Sequence, residues 1–231
     1  MDKLKAVTFS YDDGVTQDIR LIEIFNKYGL KATFNLNSEL LGLDGALERE
    51  GKTVSHIKNK KEDIKRIYQG HEIAVHTLTH PMLPELDEKE IIRQVEEDRK
   101  NLEELAGYPV VGMAYPGGGV NNNDYVAEVI KKHTKIQYAR TTTSTHSFDL
   151  QDNLYRFNPT VYHHREWDKL FELGEKFINL KTEKKQVFYI WGHAYEFDIH
   201  DTWDKFEEFC KLISRKDDIF YGTNREVILN I

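Results

Sequence analysis

The chain has 231 residues, of which 39% are hydrophobic and 31% charged, with a formal net charge of −7. That size and balance suit one soluble domain able to bury a sizeable core. The acidic excess excludes the basic footprint of a nucleic-acid binder, and no window holds the ~18 apolar residues of a membrane span.

The leading residues, Met1-Asp2-Lys3-Leu4-Lys5, run into a strand without an apolar signal core, so the chain reads as cytoplasmic by default. A β-rich run over 5–10 ends at the turn signal Asp12-Asp13-Gly14. A helix over 16–28 stops at Gly29, and a strand follows over 31–36. Residues 41–60 are irregular and read as an inserted loop. A short helix over 61–68, a strand over 72–76 and a long helix over 87–106 come next, the last opened by Asp87 with Glu90 at capping-box spacing. Strands over 112–115, 137–141, 157–162, 187–191 and 219–222 alternate with helices over 124–132, 167–180 and 203–213. Cys210, the single cysteine, reads as a small buried hydrophobe on that last helix. Strands alternating with helices predict an α/β domain, either a barrel of parallel strands or an open doubly wound sheet. Asp12/Asp13, His76/His80, Pro116-Gly117 and His193 all follow strand ends, and a barrel gathers its site from several strands at that face. No heptad or apolar stripe points to an oligomeric state.

Two clusters offer ligands to a divalent cation. Thr8-Phe9-Ser10-Tyr11-Asp12-Asp13-Gly14 supplies adjacent carboxylates, one able to bind metal while the other stays free as a base. His76-Thr77-Leu78-Thr79-His80 supplies two imidazoles at i, i+4, which a helical turn would bring to one side. Two imidazoles and a carboxylate with an open position form the donor set of catalytic zinc and non-haem iron. His193, after the apolar run Tyr189-Ile190-Trp191, could pass a proton to a leaving amine or alkoxide.

These motifs, in this order, resemble the polysaccharide deacetylases of carbohydrate esterase family four. Ser10-Tyr11-Asp12-Asp13-Gly14 resembles the first motif, His76-Thr77-Leu78-Thr79-His80 matches the second, and Gly192-His193 resembles the last. The resemblance implies a single-domain, distorted (β/α)7 barrel over residues 1–231. It also implies a divalent metal, zinc or a substitute such as cobalt or nickel, held by Asp13, His76 and His80. It makes Asp12 the general base and His193 the general acid. The third motif departs from the pattern: in Ala114-Tyr115-Pro116-Gly117-Gly118 the arginine position is Ala114 and the tyrosine position Gly117. The backbone N–H of Gly117 can still serve an oxyanion, and Arg140 is the expected substitute for the arginine that holds Asp12. Asp149 is the nearest counterpart of the residue that tunes the acid histidine.

The expected function is metal-dependent removal of acetyl groups from an N- or O-acetylated sugar or oligosaccharide. Hydrolysis of small amides such as cyclic imides or ureides is the alternative, and a catalytically lapsed carbohydrate-binding protein a second one. Tyr11, Tyr115, Trp191, Tyr195 and Phe197 are expected as exposed rings near the mouth, where they could stack on sugar faces. His163, His164 and His200 read as ordinary surface or supporting groups and not as metal ligands.

Overall fold

A computed structural model describes residues 3–230; Met1 and Asp2 of the leading segment lie outside them. In chain order the elements are β1 (Lys5–Asp12), α1 (Asp18–Tyr28), β2 (Ala32–Leu36), β3 (Ala46–Arg49), β4 (Lys52–Ser55), α2 (Ile64–Ile67) and β5 (Glu72–Val75). Then come α3 (Glu88–Ile92), a π-helical turn (Arg93–Glu97), α4 (Asp98–Ala106), β6 (Gly112–Ala114), α5 (Asp124–His133), β7 (Tyr138–Arg140) and β8 (Val161–Tyr162). The chain ends with α6 (Trp167–Asn179), β9 (Gln186–His193), α7 (Glu196–Ile199), α8 (Trp203–Ile213), β10 (Ile219–Tyr221) and α9 (Asn224–Ile228).

The main sheet runs β7-β6-β5-β2-β1-β9-β8, with β10 added against the first half of β1, and its pairings are parallel. The sheet closes on itself through 157–162. Phe157 bridges Arg140 of β7 in parallel, while Val161 and Tyr162 pair with β9. The result is a seven-member ring with helices outside, a distorted (β/α)7 barrel. The closing segment was expected as one continuous strand, but only its two ends pair. The inserted stretch is not an irregular loop. Residues 46–49 and 52–55 form an antiparallel hairpin, β3–β4, that stands apart from the main sheet.

Side chains alternate faces along each strand. On β1, Val7, Phe9 and Tyr11 point out into the main apolar cluster, where Phe9 meets Phe25 of α1 at 4.8 Å between ring centroids. Thr8, Ser10 and Asp12 point into the barrel, whose interior is polar on its site side. Asn35 Nδ2 donates to Ser10 Oγ at 2.8 Å, and Asn224 Nδ2 donates to Thr8 Oγ1 at 2.8 Å. A second small cluster, Ala6, Tyr138, Val187 and Tyr189 with Val227 and Ile228 of α9, fills the opposite end. Cys210 is buried on α8. Among the described residues no helix is long and apolar enough to cross a membrane.

Candidate active site

Register brings the sequence-selected residues to one place. Asp12 is paired with Asn35 on β2 and with His193 on β9, so all three point inward at the C-terminal mouth. Thr33 pairs with Glu72 and Asn35 with Ala74, so His76, two residues further along, has the same inward parity. On the far side Ala114 of β6 pairs with Arg140 of β7.

Asp13, just past the end of β1, would face outward if the alternation continued. It does not, because its φ is 83° and Gly14 follows at 64°. A non-glycine residue in the left-handed region is costly and persists only where its surroundings fix it. Here Lys58 Nζ donates to the Asp13 carbonyl at 2.6 Å and lies 3.4 Å from Oδ1, while His56 Nε2 lies 3.1 Å from Oδ2. The His76–His80 turn is not helical as expected. Thr77 and His80 both have positive φ, 68° and 63°, and the two rings sit 4.9 Å apart. The π turn between α3 and α4 helps hold this loop: the Gln94 carbonyl accepts from Leu78 N at 3.0 Å. Asp98, just after it, accepts from Ser38 N at 2.7 Å and His76 N at 3.2 Å.

Asp13, His76 and His80 each present a ligand atom within 4.8 Å of the other two. His76 Nδ1 donates to the Ala114 carbonyl at 2.9 Å, which turns the lone pair of Nε2 toward the carboxylates. Burial pushes the His76 pKa down to about 4 against the pull of Asp12, and burial also lowers that of His80. Burial opposes ionisation of Asp13, yet the His56 hydrogen bond and the Lys58 charge hold its carboxyl well below the usual range. The three groups therefore stand in the neutral and anionic forms a divalent metal needs, so the donor set fits one.

Asp12 is almost fully buried, and Arg140 is fully so. Arg140 Nη2 donates to both Asp12 oxygens, at 2.6 and 2.5 Å, and its Nε donates to Ser10 Oγ at 3.2 Å. The guanidinium also lies over the Trp191 ring, 4.5 Å from its centroid. Asn35 Nδ2 adds a third bond to Asp12 Oδ1 at 2.8 Å. Burial works to raise the Asp12 pKa, but the Arg140, His76 and His193 charges outweigh it and the net shift is downward. The register explains the missing motif-three arginine. Ala114 and Arg140 are neighbours across β6 and β7, so the guanidinium comes from the adjacent strand over a small side chain.

His193 is held by Glu196, a residue not singled out from the sequence. Glu196 Oε1 lies 3.0 Å from His193 Nδ1 and Oε2 accepts from His193 N at 2.9 Å; Tyr162 also donates to Oε1. Burial opposes protonation of His193, but the Glu196 carboxylate and the two aspartates raise its pKa to about 9. Glu196, buried itself, is held down at about 2 by His193. Asp149 lies elsewhere: it bridges Gln186 at the start of β9, the end opposite His193, and pairs with Lys184 at 2.7 Å. The signal for Glu196 was its i+3 spacing from His193 at the head of a helical turn. His56 and Lys58 carried none, because they lie in the loop after β4, outside any motif or periodic run.

Asp12, Asp13, His76, His80, Gly117 and His193 line one cavity of about 470 Å³, with Tyr162, Trp191 and Tyr195 on its wall. Gly117 has φ 79°, which strains any side chain, and a Cβ there would stand 2.4 Å from Met82 Sδ, which would have to shift. Its carbonyl accepts from Asn121 at 2.8 Å, and its N–H has no protein acceptor among the described residues. Of the rings expected near the mouth, Tyr11, Tyr115 and Phe197 are instead core residues, because their parity or burial turns them from the cavity. Trp191, itself largely buried, stacks on Tyr162 at 4.4 Å. His163 is fully buried against Phe197, with Nε2 3.7 Å from Glu196 Oε2, so of the two expectations it takes the supporting place and not the surface one.

A family model described as polysaccharide deacetylase matches residues 2–139. That stretch includes Asp12, Asp13, His76, His80 and Gly117 and stops short of Arg140 and His193. The chain is 26% identical over 129 residues to peptidoglycan-N-acetylglucosamine deacetylase PgdA of Listeria monocytogenes, a match spanning 54% of this chain and 24% of that one. It is 24% identical over 120 residues to peptidoglycan-N-acetylmuramic acid deacetylase PdaC of Bacillus subtilis, spanning 51% and 22%. The matches thus span about a quarter of these relatives' length. A family 4 carbohydrate esterase from Streptomyces lividans, solved in complex with acetate, superposes with a TM-score of 0.57 over 96% of this chain and 92% of that chain at 14% identity, a likeness of fold. With a parallel barrel, the motif order and a family model matching more than half of its length, the chain belongs to the polysaccharide deacetylase family.

Proposed function

We propose that the protein is a metal-dependent hydrolase that removes acetyl groups from an N-acetylated sugar, with activity on acetyl esters as a lesser capacity. One observation carries this reading. Two ionisable groups in register on adjacent strands are pushed in opposite directions, Asp12 down by Arg140 and His193 up by Glu196. Such a pair is ready as base and acid at neutral pH.

Asp13, His76 and His80 would hold the metal, zinc or a substitute such as cobalt or nickel. When bound, it supplies Lewis-acid polarisation of the acyl carbonyl and a water of lowered pKa. Asp12, ionised and fixed by Arg140 and Asn35, takes the proton from the attacking water. The Gly117 N–H donates to the oxygen that gains charge, and such preorganised donors are worth several kcal/mol. His193, protonated and oriented by Glu196, gives its proton to the departing nitrogen. Trp191, Tyr162 and Tyr195 offer ring faces to the sugar.

Amine departure without a proton is far harder than departure of an activated alkoxide. His193→Ala is therefore expected to cut amide hydrolysis by about 100-fold or more and hydrolysis of a nitrophenyl acetate by under about 10-fold. Equal losses on both substrates contradict the role of His193.

The alternative of a small cyclic imide or ureide uses the same groups. It is favoured by the β3–β4 hairpin, which bounds the cavity at about 470 Å³ and suits a short substrate over a long chain.

A further inference from the structure

We propose that Glu50, His164 and His200 form a second divalent-metal site at the rim of the cavity, separate from the Asp13–His76–His80 cluster. The three residues come from three distant segments: the tip of the β3–β4 hairpin, the chain after β8 and the end of α7. His164 Nε2 lies 3.0 Å from Glu50 Oε1, and His200 Nε2 lies 2.6 Å from Oε2. The imidazole planes are within 8° of parallel with centroids 6.0 Å apart, and one ligand atom of each residue lies within 4.8 Å of the other two. Glu50 is held there with φ 51° at an exposed turn, where its carboxylate could otherwise face water freely.

Tetrahedral zinc, with bonds of about 2.0–2.2 Å, spaces its ligand atoms roughly 3.3 Å apart. The observed N···O separations need only a small outward movement to reach that spacing. Two imidazoles and one carboxylate select zinc, nickel or copper over magnesium and calcium, which take oxygen donors. The exposed sides of Glu50 and His200 leave room for water or a substrate hydroxyl to complete the coordination. His164 Nδ1 is buried without a protein partner. When Nε2 holds the metal, the ring proton must sit on that unpaired nitrogen, so this site is the weaker of the two and fills second. Occupancy would clasp the hairpin tip to α7. The same hairpin leads into His56 and Lys58, which contact Asp13.

The test is uptake of zinc alone by metal-stripped full-length protein at micromolar free zinc, read by equilibrium dialysis and mass spectrometry. Glu50→Gln/His200→Ala is expected to take up one equivalent fewer than wild type; both side chains are exposed, so the fold is not at stake. His76→Ala/His80→Ala is expected to retain the equivalent held by Glu50. Hydrogen exchange in residues 46–55 is expected to slow on zinc binding in wild type and in His76→Ala/His80→Ala, and to stay unchanged in Glu50→Gln/His200→Ala. Unchanged uptake by Glu50→Gln/His200→Ala overturns the site, whatever the state of the Asp13 cluster or of the proposed activity.

Discussion

Asp12, almost fully buried, accepts three hydrogen bonds from two side chains, and two of them come from one nitrogen of Arg140. A carboxylate so held is fixed in position and stays ionised, as the proposed base must be. Arg140→Ala is expected to lower kcat/KM by about 100-fold, near 2.7 kcal/mol of barrier, and to move the acid limb of the pH profile upward as Asp12 loses its counter-charge. Unchanged turnover shows that the arginine has no part in the site. His193 obeys the opposite sign. Its acid form persists until pH rises through its raised pKa of about 9, so Glu196→Gln is expected to bring the alkaline limb of kcat/KM to lower pH. A limb that stays in place assigns it to another group. At this scale the residues that the structure gathers around one cavity, Asp12, Asp13, His76, His80 and His193, were legible as candidates because their motifs are local. Glu196 was not, because its contact depends on the turn after β9, and Asp149 was misplaced because sequence proximity says nothing about which end of a strand a residue reaches.

Among the elements, β6 and β7 show how a short strand carries function. Ala114 and Gly112 face the barrel interior with minimal side chains, and their register partners Arg140 and Tyr138 extend across the space they leave. A Cβ on Gly112 would stand 2.1 Å from the Tyr138 hydroxyl, which itself donates to buried Glu72 at 2.9 Å. Gly112→Ala is expected to destabilise the fold by about 1–3 kcal/mol, seen as a lower thermal midpoint. A midpoint unchanged from wild type means that Tyr138 moves aside freely. The strands and long helices were readable from periodicity, since burial on one or both faces fixes their apolar pattern. The β3–β4 hairpin was not: five of the eight residues in Ala46–Arg49 and Lys52–Ser55 carry polar or charged side chains on an exposed ribbon, which leaves no alternation to read. The break within 157–162 was hidden for another reason. Its two ends pair with different strands, a tertiary fact with no local signature.

At the scale of the whole molecule, the closed ring sets the chemistry. Five inward positions on five strands or strand ends (Asp12, Asn35, His76, Arg140 and His193) converge because parallel register repeats the same parity around the barrel. A closed parallel barrel was legible from the alternation of elements and from strand-end placement of the motifs, and Arg140 was named from the sequence as the group to hold Asp12; the register adds that it reaches across from the strand next to Ala114. The most direct measurement is acetate release from N-acetylglucosamine oligomers and acetylated xylan with added zinc or cobalt, beside Asp12→Asn. Release that depends on metal and falls by about 1,000-fold in Asp12→Asn is expected. No release from either substrate, or equal release by Asp12→Asn, contradicts a sugar deacetylase built on this site.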